Sequence, residues 1–130
     1  ESPFDFTFSG MKSAVLNYLN HEEMMGNTVN KADIAASFQQ AVCDVLCERA
    51  ILAAKELGEK RIVLSGGVAA NGYLRNELQK ACDKAHIKLY APSKILCTDN
   101  AAMIGAAAYY HYIKGERAGL DLNANPGLSL

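Results

Sequence analysis

The sequence predicts an α/β fold, a parallel strand-helix-strand core with packed helices, and three observations carry that expectation. A short apolar run, Ile62-Val-Leu64, leads into Ser65-Gly-Gly67 and reads as a strand covered on both faces. Leu74, Leu78, Ala81, Cys82 and Ala85 then recur at helical spacing behind Asn71, an N-cap residue type. A second short run, Ile87-Lys-Leu-Tyr90, lies between His86 and Ala91-Pro92. Strand, helix, strand in this order is βαβ grammar, which puts the two strands parallel with a right-handed crossover.

Taken in order, Phe4-Asp-Phe-Thr-Phe8 alternates aromatic and polar residues, so an extended segment should lay three phenylalanines on one face. Ser9 can cap a helix over about Gly10 to Asn20, with Met11, Ala14, Val15, Tyr18 and Leu19 as its apolar stripe. His21-Glu-Glu-Met-Met-Gly-Asn27 reads as a polar connection. A long helix is expected from Lys31 to Leu57, capped by Asn30 and closed by Gly58. Its buried stripe should be Ile34, Phe38, Val42, Val45, Leu46, Leu52 and Ala53, with Gln39 and Gln40 as face residues of no special meaning.

After the core unit, Thr98 or Asp99 can cap a helix that reaches about Lys114 and stops at Gly115. Its Ala and Gly residues suit close packing, as in a core helix. Domain boundaries follow: residues 1–30 form a lead-in segment and helix, 31–115 the α/β core, and 116–130 an irregular tail rich in Asn, Pro and Gly. Together, 1–130 reads as a single partial domain.

With 130 residues, half of them apolar, the chain is one ordinary domain in length. A net charge of −1 indicates neither a strongly basic nucleic-acid surface nor disorder, so electrostatics names no partner. No stretch approaches the ~20 apolar residues of a membrane span, so no membrane partner is expected. The first residue is Glu1, and the missing methionine hints at an excised piece. Four cysteines, Cys43, Cys47, Cys82 and Cys97, lack metal-knuckle spacing and read as reduced thiols of a cytoplasmic protein.

Two corners carry the functional expectation. Ligands of open α/β sheets bind at the carboxyl ends of strands, where glycines admit a close backbone and helix N-termini offer free N–H groups. Ser65-Gly-Gly-Val-Ala-Ala-Asn71 sits at such an end, although a double glycine is equally a plain tight connection. Asp99 is ordinarily just a cap. A ligand corner one strand away makes it also a candidate for a metal or polar ligand.

Four blocks in order carry a resemblance: Phe4-Asp-Phe-Thr-Phe-Ser-Gly-Met-Lys12, Ser65-Gly-Gly-Val-Ala-Ala-Asn71 with Leu74-Arg75, Cys97-Thr-Asp-Asn-Ala-Ala-Met-Ile104, and the near-terminal proline strap. The chain resembles the C-terminal part of the tRNA adenosine threonylcarbamoyltransferase family, once described as O-sialoglycoprotein endopeptidases. The resemblance implies a ribonuclease-H-like lobe of the actin-like ATPase superfamily, the second of two lobes, without its first strands. It implies that Ser65, Gly66, Gly67 and Asn71 face the adenylate of threonylcarbamoyl-AMP or ATP, and that Asp99 is a ligand of one divalent metal, iron or zinc. The family's His-x-x-x-His metal motif is not formed by His21, His86 or His111, so the chain alone is expected to be inactive.

The implied reaction moves a threonylcarbamoyl group from threonylcarbamoyl-AMP to adenosine 37 of tRNAs that read codons beginning with A. Implied partners are tRNA and the accessory proteins of threonylcarbamoyladenosine synthesis, a degenerate actin-like paralogue among them. The alternative is a non-catalytic actin-like scaffold that partners the active enzyme. A metalloprotease comes last, because no His-Glu-x-x-His is present. Strands missing upstream would leave an uncovered sheet edge or face, so self-association of the chain is expected.

Overall fold

The computed structural model describes residues 3–127. Four helices and two strands run in the order α1 (Ser9–Met24), α2 (Lys31–Glu56), β1 (Arg61–Val63), α3 (Gly72–Ala85), β2 (Lys88–Tyr90) and α4 (Ala101–Ile113). Short 3-10 turns occupy Gly67–Ala70 and Lys94–Leu96. Two compact units divide the chain, Glu1–Cys97 and Thr98–Leu130.

In the first unit the α/β expectation holds. Strands β1 and β2 pair in parallel, with Arg61 opposite Lys88, Ile62 opposite Leu89 and Val63 opposite Tyr90, and α3 connects them. The ladder extends beyond the strands, since Lys88 donates its amide to the Lys60 carbonyl and Leu64 its amide to that of Tyr90, both at 2.8 Å. The core is built on one face of this sheet. Ala54 of α2, Leu78 and Cys82 of α3 and Ile87 are buried together, and Cys47, Ala50, Ile51, Ile62, Leu64 and Leu89 pack against them.

The expectation of a strand covered on both faces is overturned. Ile62 turns inward, but Arg61 and Val63 point outward, and Val63 is 71% exposed. Period-2 alternation forces this result: with α2 and α3 packed on one face, every second side chain needs a further layer on the other, and the described residues supply none.

Helix α2 begins and ends as its sequence indicates. The Asn30 side chain accepts from the Ala32 amide at 3.0 Å, and Gly58, at φ +69°, lets the Gly58 and Glu59 amides return to the Lys55 and Ala54 carbonyls. Its buried stripe differs from expectation. The side chains that reach the core are Cys47, Ala50, Ile51 and Ala54, with Cys43 buried one turn earlier, and Phe38 is exposed. Apolar residues cover most of the helix circumference, so spacing alone does not select a face. The small Cys and Ala residues do, because they let α3 approach closely.

Helix α1 is longer than expected, running through His21, Glu22 and Glu23 to Met24 before Gly26 at φ +72° ends it. The stretch read as a polar connection contains good helix formers, and nothing in it breaks a helix before Gly26. Ser9 is its first residue rather than its cap; the Thr7 hydroxyl accepts from the Ser9 amide instead. No α1 residue is buried. Of the three lead-in phenylalanines, Phe6 and Phe8 have ring centroids 5.2 Å apart.

In the second unit α4 is capped by Asn100, whose side chain accepts from the Met103 amide at 3.0 Å, so neither Thr98 nor Asp99 is the cap. Every α4 residue is exposed, which replaces the expected core helix by an uncovered one. The tail is irregular as far as Gly127, and residues 128–130 of it lie outside the described part.

Candidate nucleotide corner

β1 ends at Val63, and Leu64 and Ser65 carry the chain to Gly66, which adopts φ +88° and ψ 170°. A side chain is strained in that conformation, which explains the glycine on backbone grounds. A Cβ placed on Gly66 or Gly67 would meet nothing within 4 Å, so both glycines border open space rather than a tight packing contact. The turn therefore has room for a ligand, and Ser65, Gly66 and Gly67 are all exposed on it.

Asn71 closes the turn and starts α3 as predicted. Its Oδ1 accepts from the amides of Tyr73 at 2.8 Å and Leu74 at 3.1 Å, which occupies both lone pairs of the oxygen. Its Nδ2 donates to Gln39 Oε1 of α2 at 3.2 Å. One amide hydrogen is left for a ligand, so Asn71 can meet an adenylate only as a donor. Beside it lies a cavity of about 220 Å³, walled by Phe38, Val42, Leu46, Val68 and Leu74.

Sequence reasoning missed three residues here. Gln39 holds the Asn71 amide, and Gln40 Oε1 accepts from the Tyr73 hydroxyl, so the two glutamines dismissed as ordinary face residues tie α2 to the start of α3. Nothing in the spacing of α2 sets these two glutamines apart from its other polar residues, because their partners at the start of α3 are more than thirty residues away in sequence. Arg75 is the third. Its Nε donates to the Ala69 carbonyl, and its Nη2 donates to the Pro92 carbonyl at 2.7 Å and to Cys97 Sγ at 2.9 Å.

The four thiols are free, as expected. Burial, with Cys43, Glu77, Asp44 and Cys82 adding to it, pushes the Cys47 thiol up to about 11, and burial likewise raises those of Cys43 and Cys82. Such thiols are protonated, inert core residues.

Asp99 lies in the second unit, exposed, at the start of the α4 cap segment. Among the described residues no three His, Cys, Asp or Glu side chains gather as metal ligands do. One carboxylate is not a donor set for iron or zinc, so the residues of this chain do not by themselves fit the metal that the resemblance implies. No helix of the described residues is long and apolar enough to cross a membrane.

A parallel strand-helix-strand unit whose first strand opens into a glycine turn and an asparagine-capped helix defines an α/β protein with open space beside the turn that follows its first strand. The chain belongs to the tRNA N6-adenosine threonylcarbamoyltransferase (TsaD) family, whose profile matches residues 1–106. Proteins named tRNA N6-adenosine threonylcarbamoyltransferase are 55% identical to it in Clostridium botulinum strain 657, 53% in Moorella thermoacetica and 52% in Clostridium perfringens strain 13. Each similarity covers 100% of this chain and 38% of the relative, so the chain spans about two fifths of the length of these curated relatives.

Proposed function

We propose that this chain is the C-terminal lobe of a threonylcarbamoyl transferase that acts on adenosine 37 of tRNAs reading codons that begin with A. The observation that carries this reading is the family match over residues 1–106, which includes the whole glycine corner and Asp99. The lobe is ribonuclease-H-like, as in actin-like ATPases, and its first strands lie in another part of the full protein. Residues 1–30 lead in, 31–115 form the α/β core and 116–130 the tail of one partial domain.

In this reading Ser65, Gly66, Gly67 and Asn71 hold the adenylate of threonylcarbamoyl-AMP, with ATP as the related nucleotide ligand. The glycines let phosphate oxygens approach the backbone, and Asn71 donates its remaining amide hydrogen. The N6 amine of adenosine attacks the carbamoyl carbonyl carbon, the bond from that carbon to the phosphate oxygen breaks, AMP leaves with the electron pair, and the N6 proton passes to the departing phosphate or to water. No protein nucleophile is needed. The chain's contribution is to hold AMP as a leaving group in fixed geometry.

Asp99 supplies a single carboxylate to a divalent metal, iron or zinc, whose other ligands come from outside this chain. The partners are tRNA and the accessory proteins of threonylcarbamoyladenosine synthesis, including a degenerate actin-like paralogue, and the assembly works in the cytoplasm. The test is adenosine modification by the full-length protein with threonylcarbamoyl-AMP, accessory proteins and unmodified tRNA. Asn71→Ala and Asp99→Ala are each expected to lose at least about tenfold in rate while remaining folded. Normal rates in both variants overturn the assignment and leave a structural, scaffold-like lobe.

A further inference from the structure

Arg75 stands one turn into α3 and faces the turn that precedes it. Its side chain joins three segments that the sequence keeps apart: Ala69 at the end of the glycine turn, Pro92 just after β2, and Cys97 after the second 3-10 turn. Ala69 and Cys97 are both buried, and the Cys97 thiol reaches on to the Ser93 carbonyl at 3.5 Å. A planar fork of fixed N–H directions suits this task, because satisfying several acceptors at once fixes their relative positions. A lysine ammonium on a flexible stem does not.

The charge has a second consequence. All three acceptors are neutral, two carbonyl oxygens and a thiol, and among the described residues none of the ion pairs includes Arg75. A partly buried positive charge thus lies behind the glycine corner, and among the described residues it is held in no ion pair. Partial burial screens it less than an exposed lysine, so its field reaches the open side of the turn.

We propose that Arg75 is a positioning residue for the nucleotide corner: it locks the loops at the ends of β1 and β2 into one arrangement, and its charge, hydrogen-bonded only to neutral acceptors, makes that corner prefer an anion. The inference rests on the adenylate reading of Ser65, Gly66, Gly67 and Asn71. It assigns Arg75 no contact with the ligand. It explains why a cation is built into the support of the corner, where a neutral packing residue would serve a mere turn.

The experiment measures AMP and adenosine affinities of the full-length protein for wild type, Arg75→Gln and Arg75→Lys. Wild type is expected to prefer AMP. Arg75→Gln should lower that preference by about fivefold, and Arg75→Lys, which keeps the charge, should restore most of it while binding both ligands more weakly than wild type because the fork is gone. Equal loss for both ligands in Arg75→Gln, or no loss, overturns the proposal, since a purely structural residue has no reason to distinguish them. If both Arg75 variants fail to fold, Cys97→Ala decides: removing one acceptor should weaken AMP by at least about threefold, and unchanged affinity overturns the positioning role. Failure of wild type to bind AMP at all is a different result. It removes the adenylate reading itself, and this inference with it.

Discussion

At the scale of single residues, Asn71 does two jobs that substitution can separate. Its oxygen caps α3 and its nitrogen donates to Gln39. Asn71→Asp keeps two acceptor oxygens at a helix N-terminus, where negative charge is favoured, so stability should stay within a few tenths of a kcal/mol. Asn71→Ala loses the cap and should cost about 1 kcal/mol in chemical denaturation. Both remove the donor hydrogen. In a titration of this chain with AMP, wild type is expected to show weak amide shifts at Gly66, Gly67 and Asn71, and both variants to lose them; an Asp variant that binds like wild type assigns the contact wrongly. Cys47 gives a pH dependence with a definite sign. Its thiol ionises near 9.0 in the unfolded chain and at about 11 in the folded one, so the folded state holds its proton more tightly. Stability from this group is complete below pH 9 and is lost as pH rises through about 11. The unfolding midpoint should therefore fall across that interval, and Cys47→Ala should flatten the fall.

At the scale of elements, helix ends were the most legible feature because their chemistry is local. Asn30, Gly58, Asn71 and Gly115 all stand where the sequence put a cap or a stop. Asn100 outcompeted Thr98 and Asp99 through a choice among adjacent cap residues, for which position along the chain carries no energy scale. Buried faces were less legible. The stripe of α2 shifted to its Cys and Ala residues because tertiary contact with α3 decides between apolar faces of similar width. The Arg75 bridge was illegible for a related reason: Ala69, Pro92 and Cys97 meet only after the chain has folded back through β2. One helix end breaks the glycine rule. His86 ends α3 at φ +56°, the left-handed conformation that Gly58 adopts at the end of α2. Replacing His86 by Gly removes Cβ strain of about 1–2 kcal/mol, against about 0.5–1 kcal/mol of added chain entropy in the unfolded state. A small net stabilisation is expected. Gly58→Ala carries the opposite sign and should cost about 1 kcal/mol in the same denaturation assay, all of it from the backbone because a Cβ there meets no neighbour within 4 Å.

For the whole molecule, the decisive quantity is apolar surface left without a partner. Val63 and Tyr90 are opposite each other in the parallel register and point to the uncovered face of the sheet, 71% and 42% exposed. Among the described residues no further strand pairs with either edge of this two-stranded sheet, which leaves rows of backbone groups open to pairing. A chain spanning 38% of its relatives' length and presenting such a face is expected to find a substitute cover in its own copies. Sedimentation velocity should then show a weight-average coefficient that rises with concentration. The paired substitution Val63→Lys and Tyr90→Lys puts two charges on that face without touching Ile62 or Leu89 on the core side, so it should keep the helical spectrum and abolish the rise. A coefficient that is flat for wild type removes self-association. A rise that persists in the doubly substituted chain moves the contact elsewhere, to surfaces such as the uncovered α4, where charged substitutions at Tyr109 and Ile113 make the same measurement.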